Sequence, residues 1–115
     1  MNPGEKGTER LPEKSLAVTD AQRDILAGYL RRFLPGVPVW AYGSRIKGTA
    51  RPYSDLDLVA FVPEDKRRAV GELRDAFDES NLPFIVDLHV WDELPRQFHQ
   101  EIRRAHVVVQ QPESL

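Results

Sequence analysis

A run of apolar, β-branched and aromatic residues, Val37 to Tyr42, ends on Gly43-Ser44. Ten residues later Asp55-Leu56-Asp57-Leu58 opens a second such run. A carboxylate in an apolar strand is costly to bury unless something pairs with it. Asp57 stands between Leu56 and Leu58, and Asp87 sets the same problem inside Phe84-Ile85-Val86-Asp87-Leu88-His89-Val90. Any fold of this chain must therefore bring these aspartates to a face where their charge is met. The two-residue period of a strand puts Asp55, Asp57, Val59 and Phe61 on one side and Leu56, Leu58, Ala60 and Val62 on the other. In the third run Ile85, Asp87 and His89 share a side, opposite Phe84, Val86, Leu88 and Val90. If the second and third strands are neighbours, Asp55, Asp57 and Asp87 converge.

The remaining punctuation is helical. Thr19-Asp20-Ala21-Gln22 reads as a capping box, with Leu26, Tyr29, Leu30 and Phe33 following at helical spacing until Pro35-Gly36. Gly43 permits a sharp exit from the first strand, and Ser44 is expected to cap a short helical turn over 45–49. Arg51-Pro52-Tyr53-Ser54 is a turn, and the second strand is expected over 55–62. A helix from Pro63 carries Ala69, Val70, Leu73, Ala76 and Phe77 as its apolar stripe; Asn81 is expected to close it in a left-handed conformation ahead of Pro83. A last helix is expected to open at Asp92-Glu93-Leu94-Pro95 and to carry Leu94, Phe98 and Ile102, with a short strand over 106–110 after it. The expected fold class is α/β: a small mixed sheet flanked by helices.

The chain's 115 residues suffice for one core and one domain. Residues 1–17 hold little apolar surface and are expected to form a disordered tail, leaving 18–115 as the domain. With 16 Lys and Arg against 18 Asp and Glu, the net charge of −2 gives no support to bulk nucleic-acid binding. Lys66-Arg67-Arg68 and Arg103-Arg104 read as solvated helix faces. The absence of cysteine excludes disulfides and thiolate chemistry. No run is apolar and long enough for a signal peptide or a membrane span, so no membrane association is expected and the cytoplasm is the expected location.

Three converging carboxylates repel one another and raise one another's pKa. Divalent cations relieve that repulsion, and hard carboxylate oxygens suit Mg²⁺. Two such ions stabilise both the attacking and leaving oxygens of an in-line displacement at phosphorus. The Gly-Ser turn supplies a complementary half. Gly43 lets backbone amides approach a phosphate, the Ser44 hydroxyl adds a donor, and Arg45, Lys47 and Arg51 bring positive charge. A nucleoside triphosphate held beside a metal-binding carboxylate set points to nucleotidyl transfer. His89 is expected to be a polar neighbour on the same face, His99 and His106 surface or packing residues, and Trp40 and Trp91 packing residues, with Trp91 also placed to lie under a base or a partner.

These residues resemble the minimal nucleotidyltransferases, small relatives of the DNA polymerase β superfamily. The resemblance lies in Tyr42-Gly43-Ser44-Arg45-Ile46-Lys47-Gly48, Ser54-Asp55-Leu56-Asp57-Leu58 and Val86-Asp87-Leu88, and it covers about residues 19–110. It implies a polymerase β-like nucleotidyltransferase core in which Asp55 and Asp57 bind the metal ions. Asp87 would bind the catalytic metal and help deprotonate the attacking hydroxyl. Gly43 and Ser44 would hold the β- and γ-phosphates, with Arg45 and Lys47 beside them. Lys47 departs from the arginine of many relatives, keeping the charge but not the planar fork. Single-domain members of the family resemble antitoxins paired with a HEPN-type ribonuclease toxin. The implied reaction is Mg²⁺-dependent transfer of AMP from ATP to a tyrosine of that toxin, within a hetero-oligomer. Two other functions are compatible with the residues: a partner-masking antitoxin without catalysis, and a nucleotidyltransferase acting on a small molecule or RNA.

Overall fold

The computed structural model describes residues 15–112. Most of the expected tail, residues 1–14, lies outside the described residues. Four strands form one sheet: β1 (Val39–Tyr42), β2 (Leu56–Ala60), β3 (Val86–Val90) and β4 (Val107–Gln110), in the order β3-β2-β1-β4. β1 pairs antiparallel with β2 and with β4, whereas β2 and β3 run parallel. A parallel pair requires a crossover, and the helix expected after Pro63 provides it.

The first helix, α1 (Asp20–Phe33), begins at the expected capping box. The Gln22 amide donates to Thr19 Oγ1 over 3.1 Å, and the Thr19 amide donates to Gln22 Oε1 over 2.9 Å. After β1 come the single-turn α2 (Ser44–Lys47) and, in the crossover, α3 (Arg67–Asp78). Leu26 and Leu30 of α1, with Val70, Leu73 and Phe77 of α3, pack with Val39, Ala41, Leu56, Leu58, Ala60, Val86, Leu88 and Val90. Burying each of the Val, Leu and Phe side chains among them contributes about 1.5–3 kcal/mol. Tyr29 meets Phe77 edge-on at 5.5 Å, tying the two helices together.

The opposite sheet face is aromatic at one end. Trp40 contacts Phe61 and Trp91, and His106 stacks on Trp40 with ring centroids 3.7 Å apart. The last helix, α4 (Arg96–Arg104), meets this cluster through His99, which stacks on Trp91 at 3.9 Å. His99 Nε2 lies 2.7 Å from the Trp91 carbonyl and His106 Nδ1 lies 2.8 Å from the Ile102 carbonyl. A carbonyl only accepts, so each of these nitrogens carries the ring proton. Both histidines are packing residues, as expected.

Several local expectations give way. Asn81 is not left-handed, since no described non-glycine residue has a positive φ. Ser80 ends the helix instead: its hydroxyl donates to the Phe77 carbonyl over 2.7 Å and accepts from the Leu82 amide. Ser44 is the first residue of α2 rather than its cap, a place held by Gly43 with no side-chain hydrogen bond. A 3₁₀ turn, Trp91–Glu93, precedes Pro95, and α4 begins only at Arg96, leaving Leu94 outside the helix. At the start of the described chain Leu16 is buried in the main core and the Ala17 amide donates to the Arg45 carbonyl over 2.8 Å. Leu16 and Ala17, which fall within the expected tail, are thus packed and hydrogen-bonded against the domain. Among the described residues no helix is long and apolar enough to cross a membrane.

Candidate functional site

Register alone assembles the site. Tyr42 at the end of β1 faces Asp57 near the start of β2, and Asp57 faces Asp87 near the start of β3. These three side chains form a row across the sheet, on the face opposite α1 and α3. His89 lies two residues along β3, on the same face. One oxygen from each of Asp57 and Asp87 and one His89 ring nitrogen lie within 4.8 Å of one another. Asp57 and His89 are half-buried and Asp87 is exposed.

The local field is negative. Burial, then the neighbouring Asp87, push the Asp57 carboxyl above the usual carboxylate range; Asp55 adds to this and His89 opposes it. Burial, then Asp57 and Asp87, push the Tyr42 hydroxyl up to about 12. Such a site favours added positive charge. Two carboxylates and an imidazole within this span fit one divalent cation: the oxygens suit Mg²⁺ or Mn²⁺, and the imidazole adds a nitrogen donor.

The three aspartates expected to converge do so only in part. Asp57 and Asp87 come together, while Asp55, exposed and one residue ahead of β2, stands outside the cluster. It still acts on both sides of the site, raising Asp57 and holding up the Arg45 guanidinium, which burial pulls down. His89 completes the close group instead. Its signal in the sequence was its position two residues beyond Asp87 on a shared face.

Gly43 is required by the carboxylates as well as by the turn. Its φ is 86°, in the left-handed region, and a Cβ there would stand 2.5 Å from Asp57 Oδ2. Any side chain at this position would strain the backbone and displace the acid at the centre of the row. Ser44, half-buried, follows at the start of α2, and among the described residues its hydroxyl has no protein partner. Lys47, exposed at the end of α2, borders a cavity of about 400 Å³ that Tyr42 and Gly43 also line.

Arg45 departs from its expected place beside a nucleotide. It is 5% exposed, and its guanidinium donates to the carbonyls of Ala17, Arg51, Pro52 and Ser54. Its outer face lies 4.1 Å from the Phe84 ring centre. With four of its five N–H donors on backbone oxygens, Arg45 fixes the loop that delivers Asp55 and Asp57 to β2. The same loop is pinned by the Arg51 amide, which donates to Ser54 Oγ over 2.8 Å.

The family model described as a nucleotidyltransferase domain matches residues 23–109, a span that contains the whole row and the glycine turn. The chain belongs to the nucleotidyltransferase domain family. Its activity class is therefore nucleotidyl transfer, on the polymerase β-like core that the mixed sheet and flanking helices form. A relative from Haemophilus influenzae, named Probable protein adenylyltransferase MntA, is 40% identical over 101 residues, covering 86% of this chain and 88% of its own. Two solved structures share the fold. One, a toxin–antitoxin with AMP-PNP, is 19% identical with a TM-score of 0.55, over 83% of this chain and 76% of that one. The other, a mutant of the toxin–antitoxin MntA-HpeT, is 16% identical with a TM-score of 0.55, over 79% and 74%.

Proposed function

We propose that this chain transfers the AMP moiety of ATP to a tyrosine hydroxyl of a HEPN-type toxin and so acts as that toxin's antitoxin. The observation that carries the proposal is the convergence of Asp57, Asp87 and His89 beside the Gly43 turn. The MntA relative's name as a protein adenylyltransferase supports a protein acceptor, and the toxin–antitoxin complex with AMP-PNP supports both an ATP donor and a toxin partner.

Asp57, Asp87 and His89, with Asp55 at the rim, would hold Mg²⁺, as two ions when the triphosphate is present. Bound there, Mg²⁺ supplies charge stabilisation to the phosphates and to the attacking oxygen. The Gly43-Ser44 turn holds the β- and γ-phosphates with backbone amides and the Ser44 hydroxyl, and Lys47 adds positive charge at the cavity edge. The acceptor oxygen attacks the α-phosphorus, the bond to the bridging oxygen breaks, and pyrophosphate leaves. A tyrosine hydroxyl has a pKa near 10 and attacks poorly at neutral pH, so its proton must be taken as the bond forms. Asp87, the exposed carboxylate of the row, would take it.

The purified pair, mixed with ATP and Mg²⁺ and weighed by intact mass spectrometry, tests this. The wild type should add about 329 Da to the toxin per transferred AMP, the group that stays on the acceptor as pyrophosphate leaves. Asp87→Asn should add nothing yet still co-purify with the toxin. A toxin silenced with unchanged mass would identify a masking module; label appearing on RNA or a small molecule would identify a different acceptor.

A further inference from the structure

We propose that the cleft between the Gly43 turn and α4 seats the donor's purine base, stacked on Phe98. The proposal rests on the donor site described above and extends it to the nucleoside.

Phe98, Glu101, Ile102 and Ala105 recur at helical spacing along one side of α4 and its end. Ile102, 1% exposed, anchors that side, and His99 clamps the helix to Trp91 through its stack and its bond to the carbonyl. α4 is therefore a fixed support. Phe98 rises from it 45% exposed. A single exposed apolar side chain needs no explanation by itself. Phe98 differs in where it stands. Among the described residues it belongs to none of the aromatic pairs that occupy Trp40, Phe61 and Trp91. With Glu101, Ile102, Arg104 and Ala105 it lines the cavity of about 400 Å³ whose other wall is Tyr42, Gly43 and Lys47. That volume falls in the range of small-molecule sites, about 300–1,000 Å³. One wall thus belongs to the phosphate turn, while the other offers an aromatic face without a partner.

A triphosphate on the Gly43-Ser44 turn leaves its nucleoside beside this cavity. The ring of Phe98 offers a stacking platform, and a purine covers more of it than a pyrimidine. Glu101, also lining the cavity, sets the edge chemistry. A carboxylate accepts and does not donate. Adenine presents its exocyclic amino donor, and guanine presents its ring N–H and exocyclic amino donors. Glu101 therefore accepts from either purine, and the preference rests on the stack: a purine over a pyrimidine.

Calorimetric titration of the full chain with ATP, CTP and inorganic tripolyphosphate, each with Mg²⁺, tests the assignment. Phe98→Ala should weaken ATP binding about tenfold, within the range for loss of one base–aromatic stack, and leave tripolyphosphate binding unchanged. Phe98→Tyr, which keeps the ring, should retain ATP affinity and shows that the position tolerates substitution. Wild type should bind ATP more tightly than CTP, and Phe98→Ala should narrow that gap. A Phe98→Ala protein that binds ATP as the wild type does, or that loses ATP and tripolyphosphate equally, overturns the base seat. So does one that keeps ATP and instead loses the protein partner. A wild type that binds neither ATP nor tripolyphosphate overturns the donor site as a whole, an outcome distinct from failure of the base seat alone.

Discussion

Asp57 carries the clearest conflict between stability and chemistry. It faces Asp87 across the parallel pair and abuts the Gly43 backbone, and burial with that neighbour raises its pKa in the folded protein. A group whose folded pKa is raised binds its proton more tightly when folded. Its favourable contribution is full below the unfolded value, near 3.9, and is lost as pH rises through the raised folded value. At neutral pH the ionised Asp57 therefore destabilises the metal-free protein. Asp57→Asn should melt at a higher temperature than wild type at pH 7 in EDTA, by a margin that shrinks as pH falls toward 4. Mg²⁺ should raise the wild-type Tm and have little effect on the variant. A lower Tm for the variant at pH 7 would make Asp57 a structural residue. Asp57 and Asp87 were legible in the sequence because an in-strand carboxylate has few tolerable surroundings. His89 was less so: period two fixed its face, but a polar residue on a face has many fates, and only the strand register brought it to the aspartates.

At the scale of elements, the short α2 and the loop behind it depend on Arg45. In the sequence Gly-Ser-Arg looks like a phosphate-binding run, because local pattern reports charge and not burial. The carbonyls that occupy this guanidinium come from Arg51, Pro52 and Ser54 nearby but also from Ala17, 28 residues away, and the stacking ring is Phe84. No local pattern contains those contacts. Arg45→Ala leaves several carbonyls without their donor and should cost about 3 kcal/mol or more in urea unfolding; Arg45→Lys, without the fork, should recover only part. Unchanged stability with lost ATP binding would return Arg45 to the nucleotide. α1 shows the opposite case, since Thr19 and Gln22 carry its start within four residues. The apolar pattern overstates the strand ends, starting at Val37 and running through Val62, because the extent of a strand is set by its partner. The start of α4 was read too early because Pro95 accepts the first helical turn only after itself.

The whole molecule is a sheet with two different faces. One is closed by α1 and α3 over the main core. The other divides into an aromatic half around Trp40 and Trp91 and an acidic half around Asp57 and Asp87. The acidic half lies where β1 ends and the parallel strands β2 and β3 begin, so three chain directions must be held together there. Two short local elements hold β1 and β2, the Gly43 turn and the Arg45-bound loop, and the second is closed from outside by the segment ahead of α1. Leu16 enters the main core, the Ala17 amide donates to the Arg45 carbonyl, and the Ala17 carbonyl accepts from Arg45 Nη1. This segment belongs to the site's support even though its composition reads as tail, since one leucine among polar residues carries no periodic signal. Two truncations separate the possibilities. A chain beginning at Ser15 keeps all these contacts, whereas one beginning at Val18 loses the buried Leu16 side chain and the acceptor of a half-buried guanidinium N–H. The shorter chain should be less stable by about 2 kcal/mol or more, from the apolar burial and the orphaned donor together. Denaturant midpoints measure the difference directly. Equal midpoints would restore the boundary at 18 and confine the support of the site to its own loop; a lower midpoint for the shorter chain, with metal affinity falling alongside, would show that the segment ahead of α1 helps to hold the acids in place.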